Sequence, residues 1–301
     1  MVNKIENKKR TGIIALICLT AIFATYGVFA RYFNNGFQLF QQVYIRALSA
    51  FLIGSIIFYK DIDYSRFKKI SLKEWLLIIV RAISLYILGI ALVTKAFILS
   101  KYGVVSLISV LPFVAILGAI LFKEKITPLK AFLIFLSFLG VFLMIVKDYN
   151  HLFYWGLGEI LALIATFFFA LNYVAQKWQS NTLNHKEITQ IILFIAFILS
   201  FIISLFLGEG IPIINFSFEL VFAIFMVGLF NVLGLFLANY GFQYVKAIVA
   251  NNILNLEVLF AIIIGFVLYK EVLSLKEIVG GFIIIISVVW MNKIDSSKLR
   301  L

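Results

Sequence analysis

The 301-residue sequence is short of almost everything a water-exposed surface requires. Charged residues make up 13% of it, about half the share of an ordinary soluble domain. There is one cysteine, Cys18, so neither a disulfide framework nor a thiolate metal cluster can form. There are two histidines, His151 and His185, and three prolines. No G-x-x-x-x-G-K-[ST] loop occurs, which excludes nucleotide binding of the P-loop kind. No long linker occurs either, and the largest polar insertion is residues 60–74. An ordinary cytosolic enzyme, a disordered chain and a secreted disulfide scaffold are all excluded on these grounds.

What is present is apolar. Hydrophobic residues make up 63%, with 33 Phe, and the mean hydropathy is +1.09. A helical bilayer crossing takes roughly 20 apolar residues. Ten such stretches are read, at 12–32, 37–59, 75–94, 97–121, 127–146, 153–176, 187–207, 217–240, 247–269 and 275–292. They are continuous and lack period-2 alternation, which favours helices over a barrel. The expectation is an all-α integral membrane protein with ten transmembrane helices. The first stretch is too long for a signal-peptide core and is expected to serve as an anchor.

The net charge of +12, from 26 Lys+Arg and 14 Asp+Glu, would suggest nucleic acid in a soluble chain. Its placement suggests orientation instead. With the N-terminus inside, 18 of the 26 basic residues fall on the inner side and 6 on the outer, while Arg46 and Arg81 lie within spans. Both termini are therefore expected in the cytoplasm, with the chain multi-pass in the cell membrane and no nucleic-acid partner.

The chain also repeats weakly. Residues 122–144 align with 269–291 at an offset of 147. Lys123-Glu124 meets Lys270-Glu271, Thr127 meets Ser274, Phe135 meets Phe282, Val141 meets Val288 and Met144 meets Met291; Gly118 meets Gly265 upstream. Each half then holds five spans. An odd number forces the copies to face opposite ways, as in the inverted repeats of secondary transporters. The expected units are 12–146 and 153–292.

Three local patterns carry a family resemblance. Thr25-Tyr26-Gly27-Val28-Phe29-Ala30 resembles the first-helix W-G-s-n-f pattern of the EamA family, in the drug/metabolite transporter superfamily, with Tyr26 where Trp is usual. Arg46 in VYIRALSA resembles the arginine of its second helix. PFVAILGAILFKEKIT (112–127) and LEVLFAIIIGFVLYKEVLS (256–274) resemble its paired motifs closing the fourth and ninth helices, with Val258 where the second copy usually has Pro. The resemblance spans nearly the whole chain. It implies a membrane transporter of amino acids, metabolites or drugs, without fixing the solute.

An ionisable side chain at mid-membrane costs roughly 2.5–3.5 kcal/mol on insertion scales, so each one needs a partner, a cavity or a function. Glu257 is alone in a stripe of Ala250, Ile253, Leu254 and Ala261. It could bind a substrate amine, carry a coupling proton or pair with an arginine. Asn251, Asn252 and Asn255 are candidates for solute contact or helix packing, and Asn251 and Asn255 share a face. Arg81 could meet an anionic group of the solute or snorkel to the surface. Glu159 faces the same way as Ala162, Thr166 and Tyr173. Asn231 lies among Gly228, Gly234 and Ala238. Tyr86 is the aromatic candidate, and Arg46 is expected to be structural. No metal or cofactor is expected. The partners are a small-molecule substrate and the bilayer, with monomer and dimer both open.

The leading reading is a secondary active exporter of a small organic solute, not an enzyme, with a cavity lined by helices 1, 3, 4, 6, 8 and 9. The alternatives are a membrane-embedded enzyme acting on lipid-linked substrates through Asp61 and Asp63, and a non-transporting membrane scaffold.

Overall fold

A computed structural model describes residues 2–122, 126–146, 155–180, 182–213, 217–245 and 253–297. Among these residues the chain is helical apart from its joints, and an isolated bridge, Val146 to Trp155, is its β contact. The helices are α1 (Val2–Phe23), α2 (Tyr26–Phe33), α3 (Leu39–Ile57), α4 (Tyr64–Phe67) and α5 (Leu72–Ala82). A π-helical segment (Ile83–Ile90) then leads into α6 (Ala91–Leu99). After it come α7 (Tyr102–Ser109), α8 (Phe113–Phe122), α9 (Pro128–Ile145), α10 (Leu157–Ala175) and α11 (His185–Phe206). The last three are α12 (Phe218–Tyr244), α13 (Leu256–Tyr269) and α14 (Leu275–Ser297).

Local sequence sets most helix starts. Ser71 caps α5 with Glu74 answering from N3, and Asn184 caps α11 with Glu187 in the same role. Thr127 caps α9, with Pro128 at its first turn. These boundaries are legible because caps act within four residues.

Six helical runs among the described residues are long and apolar enough to cross a membrane: Arg10–Phe33, Leu39–Ile57, Leu72–Leu99, Leu157–Trp178, His185–Phe206 and Phe218–Tyr244. The outward faces are apolar, with Ile56, Phe132, Phe206 and Phe282 all exposed. The interior holds Thr20, Gln42, Ser137, Thr189, Ser200 and Ser204, all buried. That distribution is the reverse of a water-soluble helical bundle and suits a lipid solvent.

The reading of spans needs three corrections. The expected span 75–94 continues past Lys95 to Leu99, where the joint at Ser100 and Lys101 ends it. The expected span 97–121 therefore starts at Tyr102, and it is broken at Val110 to Pro112, where proline has no N–H to give. The expected span 12–32 is also broken, at Ala24 and Thr25. There the Tyr102 hydroxyl enters the helical ladder, donating to the Ala24 carbonyl and accepting from the Val28 N–H at 3.2 Å. A side chain inserted in this way is a recognised cause of helix kinks. Gly27 makes room for it, since a Cβ there would lie 2.5 Å from the Tyr102 ring.

Packing between the two halves is symmetric. α3 packs on α11, α7 on α13 and α9 on α14. α1 packs on α12, and α6 on α10. Exchanging the halves maps the first three pairs onto themselves and the last two onto each other. The α9–α14 seam is closest at Gly140 and Gly280, where an added Cβ would meet the opposing glycine's carbonyl oxygen at 2.7 and 2.6 Å.

Candidate functional site

A cavity lies within the bundle. Its walls come from α1 and α2, the π-helix and α6, α7 and α8, α10, α12 and α13. These are the first, third, fourth, sixth, eighth and ninth segments of the sequence reading. It sits where the helices are broken. Ser109, Val110 and Leu111 face it from the α7–α8 break, and Leu254, Asn255 and Glu257 from the start of α13. Val110 and Glu257 are related by the same offset of 147 that aligns the two halves. Broken helices free backbone groups inside a membrane protein, which is tolerable where they line a cavity.

The cavity brings together Glu257, Asn255, Asn231 and Tyr86 from the sequence candidates. Among the described residues, Glu257 has no hydrogen-bond or ion-pair partner. It lies in the first turn of α13, where the helix dipole favours a negative charge. Tyr26, Tyr173 and Tyr102 are within its electrostatic reach. Tyr86 donates to Asn231 Oδ1 at 3.4 Å, and Asn231 Nδ2 donates to the Val227 carbonyl at 2.7 Å. The π-helix aims Tyr86 here: its wider turn passes Gly89, where a Cβ would lie 2.4 Å from the Phe169 ring.

The other candidates lie elsewhere. Arg81 is buried beyond the cavity wall, and its guanidinium donates to Asn172 Oδ1 at 3.2 Å, Gln179 Oε1 at 3.3 Å and Asn239 Oδ1 at 3.0 Å. This fork ties α5 to α10 and α12. Glu159 is at one end of the bundle, where it accepts from Ser100 Oγ at 2.8 Å. Arg46 is buried behind Tyr26 and Tyr86, donates to Thr94 Oγ1 at 3.3 Å and lies over the Phe33 ring at 5.7 Å. Asn251 and Asn252 lie outside the described residues. Tyr26, Tyr173 and Asn172 also line the cavity. Sequence reasoning treats Tyr26 only as part of a motif, because it carries no charge.

Both ends of the bundle are tied. At the far end, Arg31 pairs with Glu271 at 2.7 Å and donates to the Phe97 and Ser100 carbonyls at 2.7 and 2.8 Å. Its guanidinium also lies over Tyr269 at 4.2 Å. Lys101 pairs with Glu277 at 2.8 Å, and Glu271 accepts from the Tyr102 N–H at 2.6 Å. Lys270 adopts a left-handed φ of 55° to turn Glu271 into place. Every one of these ion pairs joins the first half to the second. None was foreseen, since the partners are over 150 residues apart.

At the basic end, Glu187 is fully buried and accepts from the Asp63 N–H at 2.9 Å and the Asn184 N–H at 2.7 Å. Asp61 pairs with Lys186 at 2.7 Å. Asp63 accepts from Ser65 Oγ at 2.6 Å and from its N–H at 3.0 Å; with Arg66 at 3.3 Å beside it, these contacts hold its carboxyl below the usual range. The two aspartates of the alternative enzyme reading are thus occupied in capping and pairing. Among the described residues no group of three or more His, Cys, Asp or Glu could hold a metal.

An all-helical, multi-pass membrane protein with a cavity at its helix breaks defines the class. The chain belongs to the EamA-like transporter family, whose model matches it twice, over residues 10–146 and 156–293. Family membership points to a membrane transporter of the drug/metabolite type. The fold is similar to that of a protein of known crystal structure, with a TM-score of 0.66 at 10% identity over 98% of this chain and 99% of that one. At that identity the likeness shows the fold alone. No curated protein matches the chain in sequence.

Proposed function

We propose that the chain is a secondary transporter that exports a small organic solute, such as an amino acid or metabolite, by alternating access. Ten crossings in two inverted five-helix halves, 12–146 and 153–292, rock around the cavity, with both termini in the cytoplasm. The observation that carries this reading is the Glu257 carboxylate, without a partner among the described residues, at a helix break and facing a cavity shared by both halves. A charge left without a partner inside a bilayer is costly, and a solute or coupling proton repays that cost. The symmetric packing of the halves supports rocking, and the Arg31–Glu271 and Lys101–Glu277 pairs support a state closed at the far end. Asn231, Asn255 and Tyr86 contact the solute. Arg81 and Glu159 act on the halves rather than on the solute.

The test is solute flux in proteoliposomes. Glu257→Gln should cut flux at least tenfold while leaving the thermal unfolding of the purified protein within a few degrees of wild type. Unaltered flux in that variant removes Glu257 from the site.

A further inference from the structure

We propose that the cavity selects its solutes as organic cations, a monovalent amine on an apolar aromatic body. This rests on the transporter reading and names the solute class of the same site. Three observations on the walls converge.

The first is charge. Glu257 is the one charged side chain among the described residues that line the cavity. Neither of the two arginines buried nearby lines it. Arg81 spends its fork on three amide oxygens, and Arg46 stands behind the Tyr26 and Tyr86 rings with one N–H on Thr94. A solute carboxylate would meet a like charge in a low-dielectric space with no cation among the described wall residues to answer it, whereas an ammonium group would neutralise the one charge they carry.

The second is hydrogen-bond polarity. Ser109 Oγ donates to the Val105 carbonyl at 3.0 Å and Thr166 Oγ1 to the Ala162 carbonyl at 2.7 Å. Tyr26 donates to the Phe230 carbonyl at 3.3 Å, Tyr86 to Asn231, and Asn231 to the Val227 carbonyl. The four hydroxyls have spent their hydrogens within the protein and offer lone pairs, while Asn231 keeps one N–H. Anions need donors; ammonium groups need acceptors.

The third is the ring content. Phe23, Tyr26, Tyr86, Phe97, Phe169 and Tyr173 all line the cavity. Aromatic faces attract a desolvated cation and pack against an apolar body.

The experiment presents four solutes of one skeleton to the purified full-length protein: phenethylamine, phenethyl alcohol, phenylpropionate and phenylalanine. Affinity is read by thermal shift and titration calorimetry. The expected ranking has the amine at least tenfold tighter than the alcohol, the acid and the zwitterion. Glu257→Gln should abolish that advantage, and Glu257→Asp should keep part of it. The wild-type ranking decides the matter even if a variant fails to fold. Tighter binding of the acid or zwitterion, equal binding of all four, or no binding of any overturns the proposal. Flux of the bound solute into proteoliposomes is read separately. Amine bound but never moved upholds the cation preference and removes the transporter reading; flux that favours acid or zwitterion does the reverse.

Discussion

Tyr102 and Gly27 show how much single residues decide. The Tyr102 hydroxyl completes two backbone groups opened by the kink at Ala24, and Gly27 admits its ring. Tyr102→Phe leaves the Ala24 carbonyl without its hydroxyl donor in a dry interior, while the Val28 N–H keeps the Thr25 carbonyl at 3.0 Å, and should cost about 1–3 kcal/mol. Gly27→Val overpacks the same spot and should cost about 1–3 kcal/mol. Denaturant unfolding in detergent micelles checks both, and their effects should be less than additive because they share a contact. Arg81→Ala should cost about 3 kcal/mol, and Arg81→Lys should recover less than half of it, since an ammonium lacks the planar fork that meets three oxygens. That each buried charge needed an explanation was legible in the sequence. Which of them faced the cavity was not. Arg81, Glu159 and Glu257 look alike as interruptions of apolar runs, yet among the described residues only Glu257 of the three is left without a partner, because partners are supplied by residues far away in the chain.

At the scale of elements, the joints matter most. Arg31 and Glu271 are about four-fifths shielded from solvent, so their pair is stronger than a surface ion pair. Breaking it should release the far end. Glu271→Gln is expected to raise access to the cavity from that side about tenfold, a shift of about 1.4 kcal/mol between states. The measurement is labelling of Val110→Cys by a membrane-impermeant thiol reagent, in a background where Cys18 is serine. Unchanged labelling would show that the pair does not hold the cavity shut. The sequence showed Lys-Glu at 270–271 as a repeated joint, but its partner is visible only in three dimensions. The π-helix at Ile83–Ile90 was equally hidden, since the Phe169 ring that packs at Gly89 lies 80 residues away in the chain.

For the whole molecule, the basic residues of the joints predict orientation. A C-terminal reporter that is active only in the cytoplasm should be active, and one fused at Gly208 should be silent. Activity at Gly208 would break the ten-crossing model and the inverted halves together. Hydropathy determined by itself that this chain is a multi-pass membrane protein of apolar helices. It could do so because lipid acts on each segment independently, through the cost of moving its own residues out of water. The helix breaks, the ion pairs between halves and the isolation of Glu257 were decided by the tertiary structure alone. Those features depend on which distant groups meet, and no local pattern of residues encodes the meeting.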